Sequence, residues 1–352
     1  MSFLFKPLTL GSLELPNRII MAPLTRCRVD NADFVPTSLM RDYYVQRSSA
    51  GLIISEATVV SPMGIGYPNT PGIWSSKQVE GWKAITDAVH EAGGRIFLQL
   101  WHVGRFSDPI YLNGALPIAP SAIAPLGHIR LVRPVRSYGI PRALESDEIP
   151  AIIEAFRKGA ENAYLAGFDG VEIHGANGYL LDQFLQDNAN HRTDRYGGSI
   201  ENRARLMLEV VDAAISIWGA SSVGIHLAPR CDSHSMGDSN PKATFGYLAQ
   251  ELGKRALAFI CARECLGEDR LGPYIKKNFG GIYIANEKFN QQTAEQLLAS
   301  GEADAVAFGK AFIANPDLPL RLKHQATLNA PDPATFYTQG SKGYTDYPFL
   351  AS

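Results

Sequence analysis

The chain has 352 residues, and its 33 Lys and Arg against 35 Asp and Glu give a formal net charge of −2. Hydrophobic residues make up 45 % of it, as is ordinary for a water-soluble protein with a large core. There is no basic excess for binding nucleic-acid phosphates and no apolar run of about 18 residues that could span a bilayer. We therefore expect a soluble protein of one or two domains without nucleic-acid or membrane partners.

The first residues lack the basic segment, apolar core and cleavage site of a secretory signal, which predicts a cytoplasmic location. The four cysteines are Cys27, Cys231, Cys261 and Cys265. They are too few and too irregularly spaced for a disulfide scaffold, and the one close pair, C-x3-C, fits neither a zinc nor a redox motif. We expect reduced thiols that mostly pack in the core.

Short apolar, β-branched runs recur along the whole chain, and runs of this kind predict strands buried on both faces, as in parallel sheets. The predicted strands are residues 18–23, 51–56, 95–100, 170–174, 223–227, 257–261, 281–285 and 305–309. Stretches with helical spacing, such as residues 79–90 and 148–157, lie between them. Strand and helix therefore alternate from end to end.

Eight strand and helix repeats within about 300 residues predict an α/β fold, a (β/α)8 TIM barrel formed by residues 1–352 as a single domain. An open dinucleotide-binding sheet is disfavoured because no G-x-G-x-x-G turn follows the first strand, where residues 23–26 read PLTR. Residues 102–145 are rich in proline and form a long excursion after the third strand. We predict that they make a lid or capping segment over the mouth of the barrel.

The carboxyl ends of the strands carry the chemistry in barrels of this class. The third strand leads into Gln99 and Trp101, and the fourth into His174, Asn177 and Tyr179. A lone Gln or His at a strand end most often caps a loop or packs in the core. Three such groups within six residues of one loop, facing the same mouth as the third strand, favour a functional site.

The residue types at these strand ends indicate a chemistry. His174 and Asn177 offer two neutral donors that could hold one carbonyl or nitro oxygen, and Tyr179 adds a proton donor. Because a phenol is too weak an acid to act on an unactivated alkene, a hydride donor must supply electrons, which implies a cofactor. Ala285-Asn286 and Gly309-Lys310, after the last two strands, provide amides and a cation where barrels commonly bind phosphate.

The sequence therefore predicts a cofactor that bears a phosphate group. It contains no zinc-type H-x-x-x-H or C-x-x-C pattern, no P-loop and no esterase elbow, so metal-dependent hydrolysis, P-loop chemistry and esterase chemistry are all disfavoured. No metal site is predicted.

Five motifs, taken in order, resemble the old yellow enzymes. They are MAPLTR at residues 21–26, QLWHVGR at 99–105, HGANGYL at 174–180, RYGGSIENR at 195–203 and NPDL at 315–318. The match extends over nearly the whole chain. Within the family, HLAPR at residues 226–230 and the segment after it are similar to xenobiotic reductase B and the glycerol trinitrate reductases.

The resemblance implies an FMN-dependent ene reductase that oxidises NADPH or NADH. Its substrates would be α,β-unsaturated carbonyl compounds, with nitrate esters or nitroaromatics also accepted. His174 and Asn177 would hold the substrate oxygen while flavin N5 delivers hydride to the β-carbon and Tyr179 protonates the α-carbon. The flavin contacts implied by similarity are Pro23, Leu24, Thr25, Ala57 and Gln99, and the implied pocket walls are Tyr67, Trp101 and Tyr337.

The chain departs from the family pattern at two positions. Where many relatives carry Arg facing the flavin at the end of the fifth strand, it has His226. Where they carry Arg after the glycine of the eighth strand, it has Lys310, a point charge without the bidentate fork of Arg. We predict that His226 stands on the N1 side of the flavin, with the alternative that Arg230 folds back to supply the charge while His226 only packs.

Other functions are compatible with parts of this pattern. An iron–sulfur dienoyl-CoA reductase on a similar barrel needs about four clustered cysteines, and only Cys261 and Cys265 are close in sequence. A dihydroorotate dehydrogenase needs a Ser or Cys base in a loop that is not found. A cofactor-free binding protein on the same barrel is the third alternative. The sequence leaves open the physiological substrate, the preferred nicotinamide nucleotide, and whether the chain is a monomer or a small homo-oligomer.

Overall fold

In a computed structural model, which describes residues 2–230 and 235–351, eight parallel strands close into a barrel. The strands are β1 (Leu8–Leu10), β2 (Leu13–Leu15), β3 (Ile19–Met21), β4 (Leu52–Ile54), β5 (Thr58–Val59), β6 (Ile96–Trp101), β7 (Ile118–Ala119), β8 (Arg142–Ala143), β9 (Gly170–Gly175), β10 (Val223–Leu227), β11 (Phe259–Arg263), β12 (Ile282–Asn286) and β13 (Ala305–Phe308). Barrel strands pair in the order β4-β3-β13-β12-β11-β10-β9-β6, and β6 pairs with β4 to close the ring. Each overlaps one predicted strand, so the (β/α)8 prediction is confirmed.

Helices surround the barrel. They are α1 (Ser38–Val45), α2 (Ser76–Glu91), α3 (Ile149–Leu165), α4 (Leu180–Leu185), α5 (Ile200–Trp218), α6 (Pro241–Lys254), α7 (Gly272–Phe279), α8 (Gln291–Ala299), α9 (Lys310–Ala314) and α10 (Leu318–Lys323). α2 and α3 contain most of the two predicted helical stretches, and α2 starts with a capping box between Ser75 and Gln78. None of the described helices is both long enough and apolar enough to cross a membrane.

Alternation along the strands separates two apolar layers. In β3, Ile19 and Met21 pack into the large layer shared with the helices, whereas Ile20 packs into the interior of the barrel. Leu10 and Leu15 of the β1–β2 hairpin belong to the same interior cluster. The hairpin therefore closes one end of the barrel, and the carboxyl ends of the strands are left as the open end.

The excursion after the third barrel strand lies at this open end. Residues 102–145 contain turns and the short parallel pair β7–β8, and no helix occurs among these residues, all of which the structure describes. The start of the segment is buried, and burial lowers the pKa of His102 to about 3. Residues near 130 reach the rim of the open end.

Three buried arginines from the first part of the chain hold the C-terminal segment against the barrel. Arg26, Arg28 and Arg47 all donate to main-chain carbonyls between residues 335 and 344. The ring of Tyr344 stacks on Tyr43 with 4.0 Å between the centroids. A buried guanidinium is tolerated only when its donors are satisfied, so these carbonyls are necessary partners of the three arginines.

The cysteines are free thiols in the part of the chain that the structure describes. Cys27 and Cys261 are buried and Cys265 is half-buried, in agreement with the prediction of reduced thiols. Cys231 lies outside the described residues.

Candidate active site

A cavity of about 480 Å³ opens at the carboxyl ends of the barrel strands. This volume lies within the usual range for sites that bind small molecules or cofactors. The predicted site residues on its wall are Pro23, Leu24, Thr25, Ala57, Tyr67, Gln99, Trp101, His174, Asn177, Tyr179, His226, Asn286, Gly309, Lys310 and Tyr337. Residues from both ends of the sequence thus meet at one place.

Glu172, a buried residue of β9 to which the sequence analysis gave no role, organises the floor of the cavity. Gln99 donates from Nε2 to its Oε2 at 2.7 Å, and Nδ1 of His226 lies 3.4 Å from its Oε1. With its amide nitrogen engaged in this way, Gln99 keeps its carbonyl oxygen as an acceptor. One ligand atom each of Glu172, His226 and Cys261 lies within 4.8 Å of the others, and burial raises the pKa of Cys261, which keeps that thiol neutral.

His174 is a neutral donor. Burial is the main cause that lowers its pKa well below the ordinary value, and the nearby charges of His226 and Arg263 add to the effect. The amide nitrogen of Ala176 donates to Nδ1 of His174 at 3.4 Å. In a neutral imidazole whose Nδ1 accepts, the proton resides on Nε2, so His174 presents an N–H donor there.

Tyr179 is held as a protonated phenol. Burial raises its pKa above the ordinary tyrosine value, against the hydrogen bond with Tyr67, which lowers it. The two hydroxyl oxygens are 2.9 Å apart. The ring of Tyr179 stands edge-on to both Trp101 and His174, with 5.0 Å between centroids in each case. These contacts fix the direction of its hydroxyl.

Arg263, at the end of β11, is a wall residue that the sequence analysis missed. Its Nη1 donates to Oδ1 of Asn177 at 2.9 Å, and its Nε pairs with Oε2 of Glu287 at 2.8 Å. Its signal in the sequence is its position at the end of the sixth strand, two residues beyond the predicted range 257–261.

The last two strands contribute a cationic end to the cavity. Lys310 begins α9, and Lys288 follows β12 by two residues; both are exposed wall residues. Within residues 2–230 and 235–351 neither ammonium group has an ion-pair partner, so both are available to an anionic group. Lys288 was not among the predicted site residues, and it lies two residues beyond Asn286, the last one predicted at the end of the seventh strand.

The structure places two of the predicted cofactor residues elsewhere. Arg230 pairs through Nε with Glu264 at 2.9 Å, pairs also with Asp269, and donates to the carbonyl of Cys265 at 2.8 Å. These acceptors hold Arg230 away from the cavity wall, so Arg230 does not fold back toward the cavity. Ala285 lines a separate small cavity.

A second cavity of about 660 Å³ adjoins the first. Residues between 127 and 135 form one side of it, and Tyr67, Asn177, Tyr179 and Tyr337 line both cavities. Part of the 102–145 excursion therefore stands at the entrance to the site.

Comparison with known proteins gives one consistent result. Residues 3–329 match the NADH:flavin oxidoreductase / NADH oxidase family. The chain is 47 % identical over 363 residues to 12-oxophytodienoate reductase 1 of Oryza sativa subsp. japonica, covering 99 % of this chain and 93 % of that protein. It is 42 % identical over 359 residues to a probable flavin mononucleotide-dependent alkene reductase of Leishmania infantum, covering 99 % and 97 %.

Solved structures agree with these sequence matches. Morphinone reductase in complex with tetrahydroNAD superposes with a TM-score of 0.95 at 50 % identity, covering 99 % of this chain and 98 % of that one. The old yellow enzyme homologue from Zymomonas mobilis superposes with a TM-score of 0.96 at 45 % identity, covering 99 % of both chains.

Proposed function

The chain belongs to the NADH:flavin oxidoreductase / NADH oxidase family, as a flavin-dependent alkene reductase of the old yellow enzyme type, and we propose that its reaction is the reduction of α,β-unsaturated carbonyl compounds with Tyr179 as proton donor. FMN is the cofactor and NAD(P)H the reductant. The observation that carries the proposal is that two neutral donors and a phenol, His174, Asn177 and Tyr179, share one cavity.

The residues on the cavity wall fit FMN. Pro23, Leu24 and Ala57 offer an apolar surface to a flat ring, and the free carbonyl of Gln99 is an acceptor for an N–H on its polar edge. The indole Nε1 of Trp101 is buried without a partner among the described residues, which leaves a donor for an incoming polar group. Lys288 and Lys310 would neutralise the phosphate. Bound FMN would supply the hydride carrier between NAD(P)H and the substrate.

The donor pair polarises the substrate. His174 donates from Nε2 and Asn177 from its amide nitrogen to the carbonyl oxygen of an enone, which withdraws electrons from the carbon–carbon double bond. The β-carbon then accepts the hydride and the α-carbon accepts the proton of the Tyr179 hydroxyl. The products are the saturated carbonyl compound and NAD(P)+, so the two electrons and both hydrogens are accounted for.

Tyr67 supports the proton transfer. After Tyr179 has given up its proton, the Tyr67 hydroxyl at 2.9 Å can donate to the phenolate. Tyr67 also lines the second cavity, which supports a route by which the proton is replaced from solvent.

Nitrate esters and nitroaromatics complete the proposed substrate range. A nitro or nitrate oxygen can be held by the same two donors. For a nitrate ester, hydride addition yields the alcohol and nitrite without a further proton. Tyr179 is therefore less important for nitrate esters than for enones.

The experiment that tests the proposal compares two half-reactions by anaerobic stopped-flow. We expect His174→Ala and Asn177→Ala, each alone, to bind FMN and to slow reoxidation by an enone about 10²- to 10³-fold, the usual loss for one aimed donor. Asn177→Asp keeps the size of the side chain and its contact with Arg263 but replaces the amide donor by an acceptor, so it should be as slow as Asn177→Ala.

His90→Ala is the matched control because it removes an imidazole from the outer helix α2, where His90 pairs with Asp169. It should reoxidise at the rate of the unaltered enzyme. Reoxidation of the His174 or Asn177 variants at that rate would contradict the donor pair. A purified protein that is colourless and takes up no FMN would instead favour the cofactor-free binding protein.

A further inference from the structure

We infer that Arg263 and Glu287 form a positioning pair that fixes which end of the Asn177 amide faces the substrate. The inference rests on the proposed function, in which Asn177 donates a hydrogen bond to the substrate oxygen. It names two residues outside the donor set as necessary for that donation.

The need for such a pair arises from the shape of an amide. Its oxygen and nitrogen are nearly equal in size, so a half-turn of the Asn177 side chain exchanges a donor for an acceptor. Only the donor end can hold the oxygen of an enone. The backbone of Asn177 has φ of 57°, a left-handed conformation that Asn tolerates, and this turns the residue out of β9 toward the mouth. Its backbone does not decide the direction of its amide.

Arg263 decides it. Nη1 of Arg263 donates to Oδ1 of Asn177 at 2.9 Å. A guanidinium group has five N–H donors and no acceptor, so it can hold the oxygen end of an amide and not the nitrogen end. With Oδ1 held, the amide nitrogen of Asn177 is the end left for a ligand.

Glu287 in turn fixes Arg263. Its Oε2 lies 2.8 Å from Nε of Arg263, and its Oε1 accepts from Nη2 at 3.1 Å. This two-point contact holds the guanidinium plane, which a single ion pair would leave free to rotate. The third nitrogen, Nη1, is thereby directed to Asn177. All three side chains lie on the wall of the same cavity.

The backbone of Glu287 has an unusual conformation. Its φ is 102°, outside the narrow left-handed region that non-glycine residues adopt and in a range where glycine is strongly favoured. A carboxylate at such a position destabilises the fold unless its side chain compensates, and strain of this kind is typical of functional sites. The ion pair with Arg263 is the compensation that we identify. The backbone of Glu287 therefore lowers the stability of the fold, whereas its side chain positions Asn177 through Arg263.

This opposition allows an experiment to distinguish a positioning residue from a merely structural one. In Glu287→Gly the strain is relieved and the carboxylate is lost. We expect a melting temperature that is unchanged or up to about 3 °C higher, together with enone reoxidation that is about tenfold slower. A structural residue would lose stability and rate together.

Substitutions of Arg263 test the donor-only argument. The side chain of Arg263→Gln carries both an acceptor and a donor, so it permits both directions of the Asn177 amide, and the enone half-reaction should slow about tenfold. An ammonium group has donors only, so Arg263→Lys should recover a part of the rate that Arg263→Gln loses. Arg255→Gln is the control, since Arg255 pairs with Asp212 and Glu251 far from the cavity.

A double-mutant cycle separates this inference from the proposed function. If Glu287 acts through Asn177, Glu287→Gly should have no further effect on the rate in the Asn177→Ala background. Equal rates for Asn177→Ala and the unaltered enzyme would contradict the proposed function itself. Two outcomes would overturn the positioning pair alone, both with slow enone reoxidation in Asn177→Ala. In the first, Glu287→Gly and Arg263→Gln reoxidise at the rate of the unaltered enzyme. In the second, Glu287→Gly lowers the rate by its full factor again in the Asn177→Ala background.

Discussion

A proton donor has to be protonated when the substrate arrives, and the surroundings of Tyr179 ensure this by burial, which raises its pKa. We expect Tyr179→Phe to slow enone reduction by about 10²-fold or more, because a positioned acid commonly contributes that much, and to leave flavin reduction by NAD(P)H unchanged. Stopped-flow measurement of the two half-reactions checks this. Denitration of a nitrate ester is the internal control, and its rate should fall less in Tyr179→Phe than the rate of enone reduction. Equal losses in both half-reactions would assign Tyr179 a structural role.

We predict that His226 makes the flavin midpoint potential depend on pH. The resemblance described above implies a permanent guanidinium at this position in many relatives, whereas an imidazole gains its charge only by taking up a proton. We expect the pH dependence of the flavin midpoint potential to show an extra proton-linked bend, and we expect the bend to vanish in His226→Arg.

Arg230→Ala is the control for this prediction because Glu264 and Asp269 hold Arg230 away from the cavity. It should change the potential little. A linear pH dependence of the flavin midpoint potential in the unaltered protein would indicate that Arg230, and not His226, supplies the positive charge. A lower midpoint potential in Arg230→Ala together with an unchanged midpoint potential in His226→Ala would indicate the same.

Single residues were predictable where a motif or a strand end marked them. His174 lies near the end of β9, Asn177 and Tyr179 follow in the next few residues, and all three meet in the cavity as expected. Glu287 could not be found in this way, since its importance lies in a backbone angle of 102° and in a partner 24 residues earlier. Neither property has a signal in the local sequence.

At the level of elements, the excursion after β6 should control which substrates enter. Leu131 lines the second cavity and is 38 % exposed, whereas Ile110 belongs to the same segment, is 62 % exposed and lines neither cavity. We expect Leu131→Ala to change the ratio of kcat/KM for bulky and small enones by about tenfold, as removal of a few methylene groups from a pocket does. Ile110→Ala should leave the ratio unchanged.

A larger change in the same segment gives a second measure. Removal of the middle of residues 102–145 should change the ratio of kcat/KM for bulky and small enones more than Leu131→Ala does, with FMN still bound. If both this deletion and Leu131→Ala left enone selectivity unaltered, the excursion would not be a lid.

The barrel strands were predictable because they are buried on both faces and read as continuous apolar runs. The short strands were not. β5, β7 and β8 have two residues each, and β8 is partly exposed, so no periodic pattern is long enough to detect. α4 was also missed, since all six of its residues are buried, including Asp182 and Gln183, and a helix buried on every side shows no amphipathic period.

For the whole molecule, two buried carboxyl groups link stability to pH. Burial is the main cause that raises the pKa of both Glu56 and Asp182 to about 7. In the unfolded chain their pKa values are near the ordinary values of 4.5 and 3.8. Because the pKa of each group is higher in the folded state, its contribution to stability is fully present below the pKa of the unfolded chain. That contribution is lost as the pH rises through about 7, and it is on the order of 3 kcal/mol for each group.

We therefore expect the free energy of unfolding in urea to fall between pH 5 and about pH 8, and we expect Glu56→Gln to flatten that dependence. Glu154→Gln is the control, since Glu154 is exposed on α3 and titrates below this window because of its hydrogen bond with Arg157. An unchanged slope in Glu56→Gln would show that Glu56 does not titrate in this range.

The (β/α)8 barrel was predictable from eight repeats, but the contribution of the C-terminal segment was not. Phe336 and Tyr337 form part of the cavity wall, and only Tyr337 was proposed, by resemblance. The contacts that fix them join residues about 300 positions apart and are made to main-chain carbonyls, which every residue possesses. No pattern of residue types in the sequence can predict a main-chain carbonyl as a distant partner.

These long-range contacts also have a consequence for biosynthesis. Arg26 leaves the ribosome early, and the carbonyl of Phe336 to which it donates follows 310 residues later. Until then the nascent barrel has three guanidinium groups without their final acceptors and a cavity with one wall missing. A complete site for the cofactor therefore forms only after nearly the whole chain has been translated, and we expect a stalled or truncated product to retain flavin less well than the finished enzyme.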